Sequence, residues 1–293
     1  MGGTAWAVPP FVVYWTQKEG TAMRIVTLIE NTPGAPGCAH EHGLSLYIET
    51  GHHTLLLDTG ATGAFADNAA ALGLDLSRVD TVVLSHGHYD HAGGLLRLVE
   101  LAPGAAVYMQ RGAGRDFYHG DRYIGIDKTI LGLPRLHLLD GDCRLDDELF
   151  LFAGITGRRF WPRSNLELRV AEPDGHLVQD DFSHEQCLVL SQNGQHILLS
   201  GCAHSGILNI LDRYRELFGD DPDVVISGFH MKKADPYTDA EWQTIEETGR
   251  ALQGYRHTRF FTGHCTGKPA QERLQEILGD RLRPLHSGEA LDL

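Results

Sequence analysis

The chain has no apolar stretch approaching the roughly 20 residues that a membrane-spanning helix needs. A short apolar patch at residues 11–15 has no basic segment ahead of it, so it does not read as a secretory leader. Positive charge is scarce, with 25 Lys and Arg against 39 Asp and Glu, for a formal net charge of −14. That balance argues against a general nucleic-acid binder, which carries a basic footprint, and no basic tract relieves it. A phosphate ester remains open as substrate, because bound metal supplies positive charge locally. The five cysteines, Cys38, Cys143, Cys187, Cys202 and Cys265, are odd in number and contain no C-x-x-C pair. This pattern fits a reducing cytoplasm better than a disulfide framework. Repeats and low-complexity tracts are also missing.

What the 293 residues do offer is a hydrophobic share of 42% and 17 histidines. A chain of this length buries a full core without metals or disulfides as staples, so metal ligands here point to function. Short runs rich in Val, Ile and Leu predict strands at 25–29, 44–48, 54–57, 81–84, 106–109, 166–170, 187–190, 196–199, 224–226 and 259–261. Ile207, Leu208, Ile210, Leu211, Tyr214 and Leu217 form one helical face that stops at Gly219. Thr238 with Glu241 makes a capping box ahead of a helix carrying Trp242, Ile245 and Leu252, and a last helix is expected near 269–278. Two mixed sheets covered by helices on their outer faces satisfy this order. Residues 1–22 read as an extension outside a core domain of residues 23–293. Residues 103–181, with weak periodicity, read as an insertion able to wall a site.

The most informative segment is VVLSHGHYDHAGGL over residues 82–95. A hydrophobic strand stops at Ser85 and a helix pattern begins near Ala92. Between them His86, His88, Asp90 and His91 occupy six positions. In extended chain His86 and His88 project to the same side and share one ion. Asp90 and His91 then turn toward a second as the chain enters the helix. Imidazole and carboxylate donors suit zinc, and also iron or manganese.

This H-x-H-x-D-H segment resembles the signature of the metallo-β-lactamase superfamily. The resemblance implies an α/β fold, a four-layer αβ/βα sandwich with two mixed β-sheets and metals at one edge between them. It matches Asp58, in LLLDTG over 55–60, to an aspartate that holds the metal loop in place. It implies further ligands at His204, in GCAHSG over 201–206, and His264, in TGHCTG over 262–267. The expected sets are His86, His88 and His204 for one ion, and Asp90, His91 and His264 for the other. One departure stands out: Cys202 occupies the place where many members carry an acidic bridging residue. Cys202 is then either a bridging thiolate or a small buried residue. If it bridges, chain order promotes His184 to third ligand in place of His204; of the two, His204 is the expected ligand.

The phrases EHGLS over 41–45, GCAHSG, GFHM over 228–231 and TGHCTG together resemble one subgroup. That subgroup is named for dihydropterin-methyl-ribofuranosylaminobenzene phosphate synthase. It implies a substrate-side role for His230 and gives His42 a weaker claim. The expectation is a cytoplasmic hydrolase with two divalent metal ions, zinc first and manganese or iron as alternatives. A metal-bound hydroxide, with Asp90 as catalytic group, would attack a small ester, lactone or phosphodiester. The rivals are a synthase acting on a phosphorylated pterin precursor and iron-based redox chemistry on the same fold. Flavin-linked diiron relatives place Glu where His88 stands, which counts against the last. A small-molecule substrate, with neither nucleic acid nor membrane as partner, completes the reading.

Overall fold

The computed structural model describes residues 23–233, 236–291 and 293; the expected extension 1–22 lies outside the described residues. Arg24–Ile29, Ser45–Glu49 and Thr54–Leu57 pair antiparallel, and Thr81–Val83, Ala106–Gln110 and Leu136–Leu139 continue the sheet in parallel. A seven-stranded sheet faces it. Cys143–Arg144, Leu149–Phe152, Cys187–Gln192 and Gln195–Leu199 are antiparallel neighbours there. Val224–Ile226, Arg259–Thr262 and Leu282–Pro284 extend it in parallel.

Alternation along each strand builds the layers. Leu55 and Leu57 point between the sheets and meet Leu151, Leu188, Leu190, Ile197 and Ile226 in one buried cluster. Leu56, on the opposite face, packs under Phe65, Leu95 and Leu98 of the helices Ala64–Ala71 and Leu95–Leu101. On the far side Val189, Leu198, Val225 and Phe260 pack under the helices Ile207–Phe218, Asp239–Leu252 and Lys268–Leu278. The result is the αβ/βα sandwich. The capping box at Thr238 forms as the sequence predicts, with Glu241 N–H and side chain both engaged. Among the described residues no helix is long and apolar enough to cross a membrane.

Residues 103–181 divide among three places. Ala106–Gln110 and Leu136–Leu139 belong to the first sheet, and Cys143–Arg144 and Leu149–Phe152 to the second. The remainder forms a third sheet, ordered Leu177–Gln179, Leu168–Ala171, Phe117–His119 and Arg122–Tyr123. Phe117, Ile124, Leu168, Val170 and Phe182 make its own small core beside the site. The strand expected from 166 begins at Leu168, because Arg163–Glu167 forms a 3₁₀ turn first.

Candidate metal centre

The strand Thr81–Val83 ends shortly before His86. The helical turn starts earlier than the sequence suggests, at Tyr89, with His88 as its N-cap. Asp90 and His91 therefore sit within a helical turn, and His88 in extended backbone ahead of it. The loops following Gln195–Leu199, Val224–Ile226 and Arg259–Thr262 bring Cys202 and His204, then His230, then His264 to the same edge. Asp58, Ala203, His230 and His264 all adopt positive φ, between 48° and 59°. Left-handed backbone at non-glycine residues costs energy and tends to persist where surrounding structure enforces it, commonly at functional sites.

The imidazoles form two converging groups. His86 Nε2 lies 3.3 Å from His204 Nε2, and the His88 ring is 4.6 and 4.9 Å from those rings. His91 Nε2 lies 3.1 Å from His264 Nε2, and Asp90 Oδ2 is 3.4 Å from His264 Nε2. The structure thus brings together all six expected ligands. His184 stands apart: its Nδ1 accepts the Gly87 N–H at 3.1 Å and its Nε2 is 3.1 Å from Asp180. His42, half exposed, joins the second group with Nε2 3.3 Å from Asp90 Oδ2.

A hydrogen-bond shell orients these rings. Asp58 is fully buried; it accepts the Ser85 N–H and hydroxyl and meets His91 Nδ1 at 2.6 Å. The Ser85 hydroxyl, having given its proton to Asp58, receives His86 Nδ1–H at 2.8 Å. The two later histidines share one arrangement. Asn165 bonds both Nδ1 and the carbonyl of His204, and Asn31 bonds both Nδ1 and the carbonyl of His264. Glu185 accepts the backbone N–H of His204, and Glu30 accepts that of His264. Each of these four residues is a single polar side chain outside the strands, with Asn165 in the 3₁₀ turn Arg163–Glu167. Their only signal in the sequence is position: Glu30 and Asn31 follow the strand Arg24–Ile29, and Glu185 follows His184.

With Nδ1 donating, a neutral ring presents a lone pair at Nε2. Two such lone pairs 3.1 to 3.3 Å apart repel unless a proton or a cation lies between them. Burial and neighbouring imidazoles hold His86 and His204 well below the ordinary histidine value, and His88 at about 3, so those rings stay neutral. His88 Nε2 is buried with no hydrogen-bond partner among the described residues. Burial opposes charge on His91, but Asp58 and Asp90 outweigh it and raise that ring to about 9. Burial likewise opposes charge on Asp90, yet His91 and His264 hold it below the usual carboxylate range. Such a donor set fits divalent cations: imidazoles oriented from behind, with a carboxylate beside the second pair, converge at short distance. Cys202 Sγ lies 3.1 Å from His91 Nε2, and burial pushes its thiol up.

Above these groups opens a cavity of about 380 Å³, lined by His42, His88, Asp90, Cys202, His204, His230 and His264. Small-molecule sites commonly span roughly 300–1,000 Å³. Arg122, Arg163 and Lys232 stand at its rim. Among the described residues none of these three pairs with a carboxylate, whereas Lys233 is bound to Glu241 and His119 to Glu167. The His230 ring lies 4.0 Å from that of His204, and its buried Nδ1 has no partner among the described residues.

Residues 40–264 match the family model of the metallo-beta-lactamase superfamily, and the chain belongs to that superfamily. A solved metal-dependent hydrolase of the beta-lactamase superfamily is 30% identical. It superimposes with a TM-score of 0.79 over 93% of this chain and 99% of its own. An uncharacterized protein of Methanocaldococcus jannaschii is 29% identical over 262 residues, 86% of this chain and 94% of its own length. The same organism's 7,8-dihydropterin-6-methyl-4-(beta-D-ribofuranosyl)-aminobenzene-5'-phosphate synthase is 26% identical over 291 residues, covering 92% and 96%.

Proposed function

We propose that this chain is a two-cation hydrolase of small anionic esters of the phosphodiester type, acting in a reducing, cytoplasmic setting. One observation carries the reading. Two groups of oriented imidazoles, the second joined by Asp90, converge beneath a cavity whose rim holds three cations that have no carboxylate partner among the described residues. His86, His88 and His204 would hold one ion, and Asp90, His91 and His264 the other. When bound, such ions supply Lewis acidity and, for zinc, bring the pKa of water to about 7.

The chain's own groups do the rest. Arg122, whose guanidinium sits 4.9 Å over the Tyr89 ring, and Arg163 bind and orient the anionic group. A small neutral ester or lactone would leave that charge unused. Asp90, fixed between His42 and His264, orients the attacking water. His230, which lines the cavity beside His204, hydrogen-bonds the leaving oxygen. Water adds to the ester centre, the ester bond breaks, and the leaving oxygen takes up the proton.

A second reading, attack within a phosphorylated cyclic precursor, is favoured by the methanogen synthase relative and by the same cationic rim. Product analysis separates the two. The test is turnover of bis(p-nitrophenyl) phosphate, a small lactone and a neutral ester by protein loaded with zinc, manganese or iron. Metal-dependent cleavage of the phosphodiester, lost in His86→Ala and Asp90→Asn, is expected. Equal activity in those variants would refute the reading, and activity confined to an iron form with a redox partner would replace it.

A further inference from the structure

We propose that Cys202 is itself a metal ligand, its thiolate shared between the two cation positions. The inference rests on the two-cation reading above. Cys202 Sγ belongs to two compact sets of donor atoms, one with His86 and His204, the other with His91 and His264; within each set all atoms lie within 4.8 Å of one another. It is 3.1 Å from His91 Nε2 and it lines the cavity floor. Of the five residues in those two sets, Cys202 alone is common to both.

The backbone is built to put it there. A Cβ at Gly201 would stand 2.1 Å from Ser85 Oγ and 3.1 Å from His86 Nδ1, so only glycine lets this turn approach the His86 loop so closely. Cys265, the neighbouring thiol, shares a third such set with Cys202 and His230 but joins neither of these two imidazole pairs. Its Sγ receives the His230 N–H at 3.3 Å and lies 3.5 Å from the Cys202 carbonyl.

Charge gives the placement its meaning. His86, His88 and His204 bring no negative charge to their ion, and Asp90 stands with the other group. Two dications held side by side repel, and an anion between them relieves that repulsion. A thiolate at Cys202 serves both ions at once. Loading replaces the S–H bond with two sulfur–metal bonds and releases one proton to solvent; no electron moves. A soft sulfur donor also favours zinc, cobalt or iron over manganese or magnesium. Cys202 as bridge and His204 as ligand, posed by the sequence as alternatives, then hold together, with His184 left to Asp180 and Gly87.

The test is a cobalt(II) titration of the metal-free full chain, followed by absorption spectroscopy and elemental analysis. The expected result is a near-ultraviolet thiolate-to-cobalt band that grows through two equivalents. Cys202→Ser should lose the band and bind the second equivalent at least tenfold more weakly. Cys202→Asp should regain two equivalents without the band, and Cys265→Ser should keep it. A band that saturates at one equivalent, that survives Cys202→Ser, or that never appears while two ions bind, overturns the bridge and leaves the two-cation site standing. Failure of the unaltered chain to take up cobalt overturns that site and the bridge with it. Should Cys202→Ser fail to fold, Cys202→Ala and Cys265→Ser decide which thiol carries the band.

Discussion

Asp58 and His91, 33 residues apart in sequence, meet at 2.6 Å with both side chains completely excluded from solvent. The same carboxylate receives the Ser85 N–H and hydroxyl, so one group anchors both the start of the histidine loop and a ring on its helical turn. Asp58→Asn keeps the shape but loses the charge-assisted contact. Metal affinity should fall about 10- to 100-fold, as for other groups that orient metal-binding histidines. Competition with a chromophoric chelator measures it, and an unchanged affinity would show that Asp58 does not tune the His91 ring.

His204 and His184 provide the sharpest contrast. His204 directs Nε2 at His86 Nε2, whereas both nitrogens of His184 are already engaged by Gly87 and Asp180. His204→Ala should bind one fewer ion per chain, with His184→Ala retaining full stoichiometry at reduced thermal stability. Elemental analysis after dialysis reads the difference, and the reverse pattern would restore His184 as the third ligand.

Gly201→Ala tests how closely the two loops must approach. The added methyl would collide with Ser85 Oγ, so backbone must shift. Overpacking of this kind costs roughly 1–3 kcal/mol, measurable by urea denaturation, with metal affinity falling alongside. Retained affinity would mean the loops tolerate separation.

Far from the site, His53 sits between Asp80 and Asp146, at 3.0 and 2.6 Å. The Asp80 hydrogen bond, opposed by burial and helped by Asp146, lifts its pKa to about 9 from an ordinary 6.5. A raised folded-state value means that protonated His53 stabilises the fold. That contribution is complete below about pH 6.5 and disappears as pH rises through about 9. The melting temperature of the unaltered chain should therefore fall between those limits relative to His53→Gln. Parallel curves would show that the contacts carry no linked charge.

Much of this molecule is readable in its sequence because strand segments such as residues 55–57 and Val224–Ile226 are buried on both faces and appear as unbroken apolar runs. The histidine segment announces the site for a physical reason as well. Crowding His86, His88, Asp90 and His91 onto the end of a buried strand costs desolvation that a bound cation offsets. The helix Ala64–Ala71 escapes notice because its alanines give little contrast between faces and no side chain caps its start. Short strands such as Arg122–Tyr123 and Cys143–Arg144 span too few residues for alternation to register. Glu30, Asn31, Asn165 and Glu185 are invisible for a different reason: their meaning lies in partners 19 to 234 residues away.

Whether two cations occupy this centre is decided most simply by the number of divalent ions bound per chain after dialysis against zinc, determined by elemental analysis. Convergence of the two imidazole groups predicts two in the unaltered protein and one in both His204→Ala and His264→Ala. A chain that binds none, or variants that load as fully as the original, would contradict it.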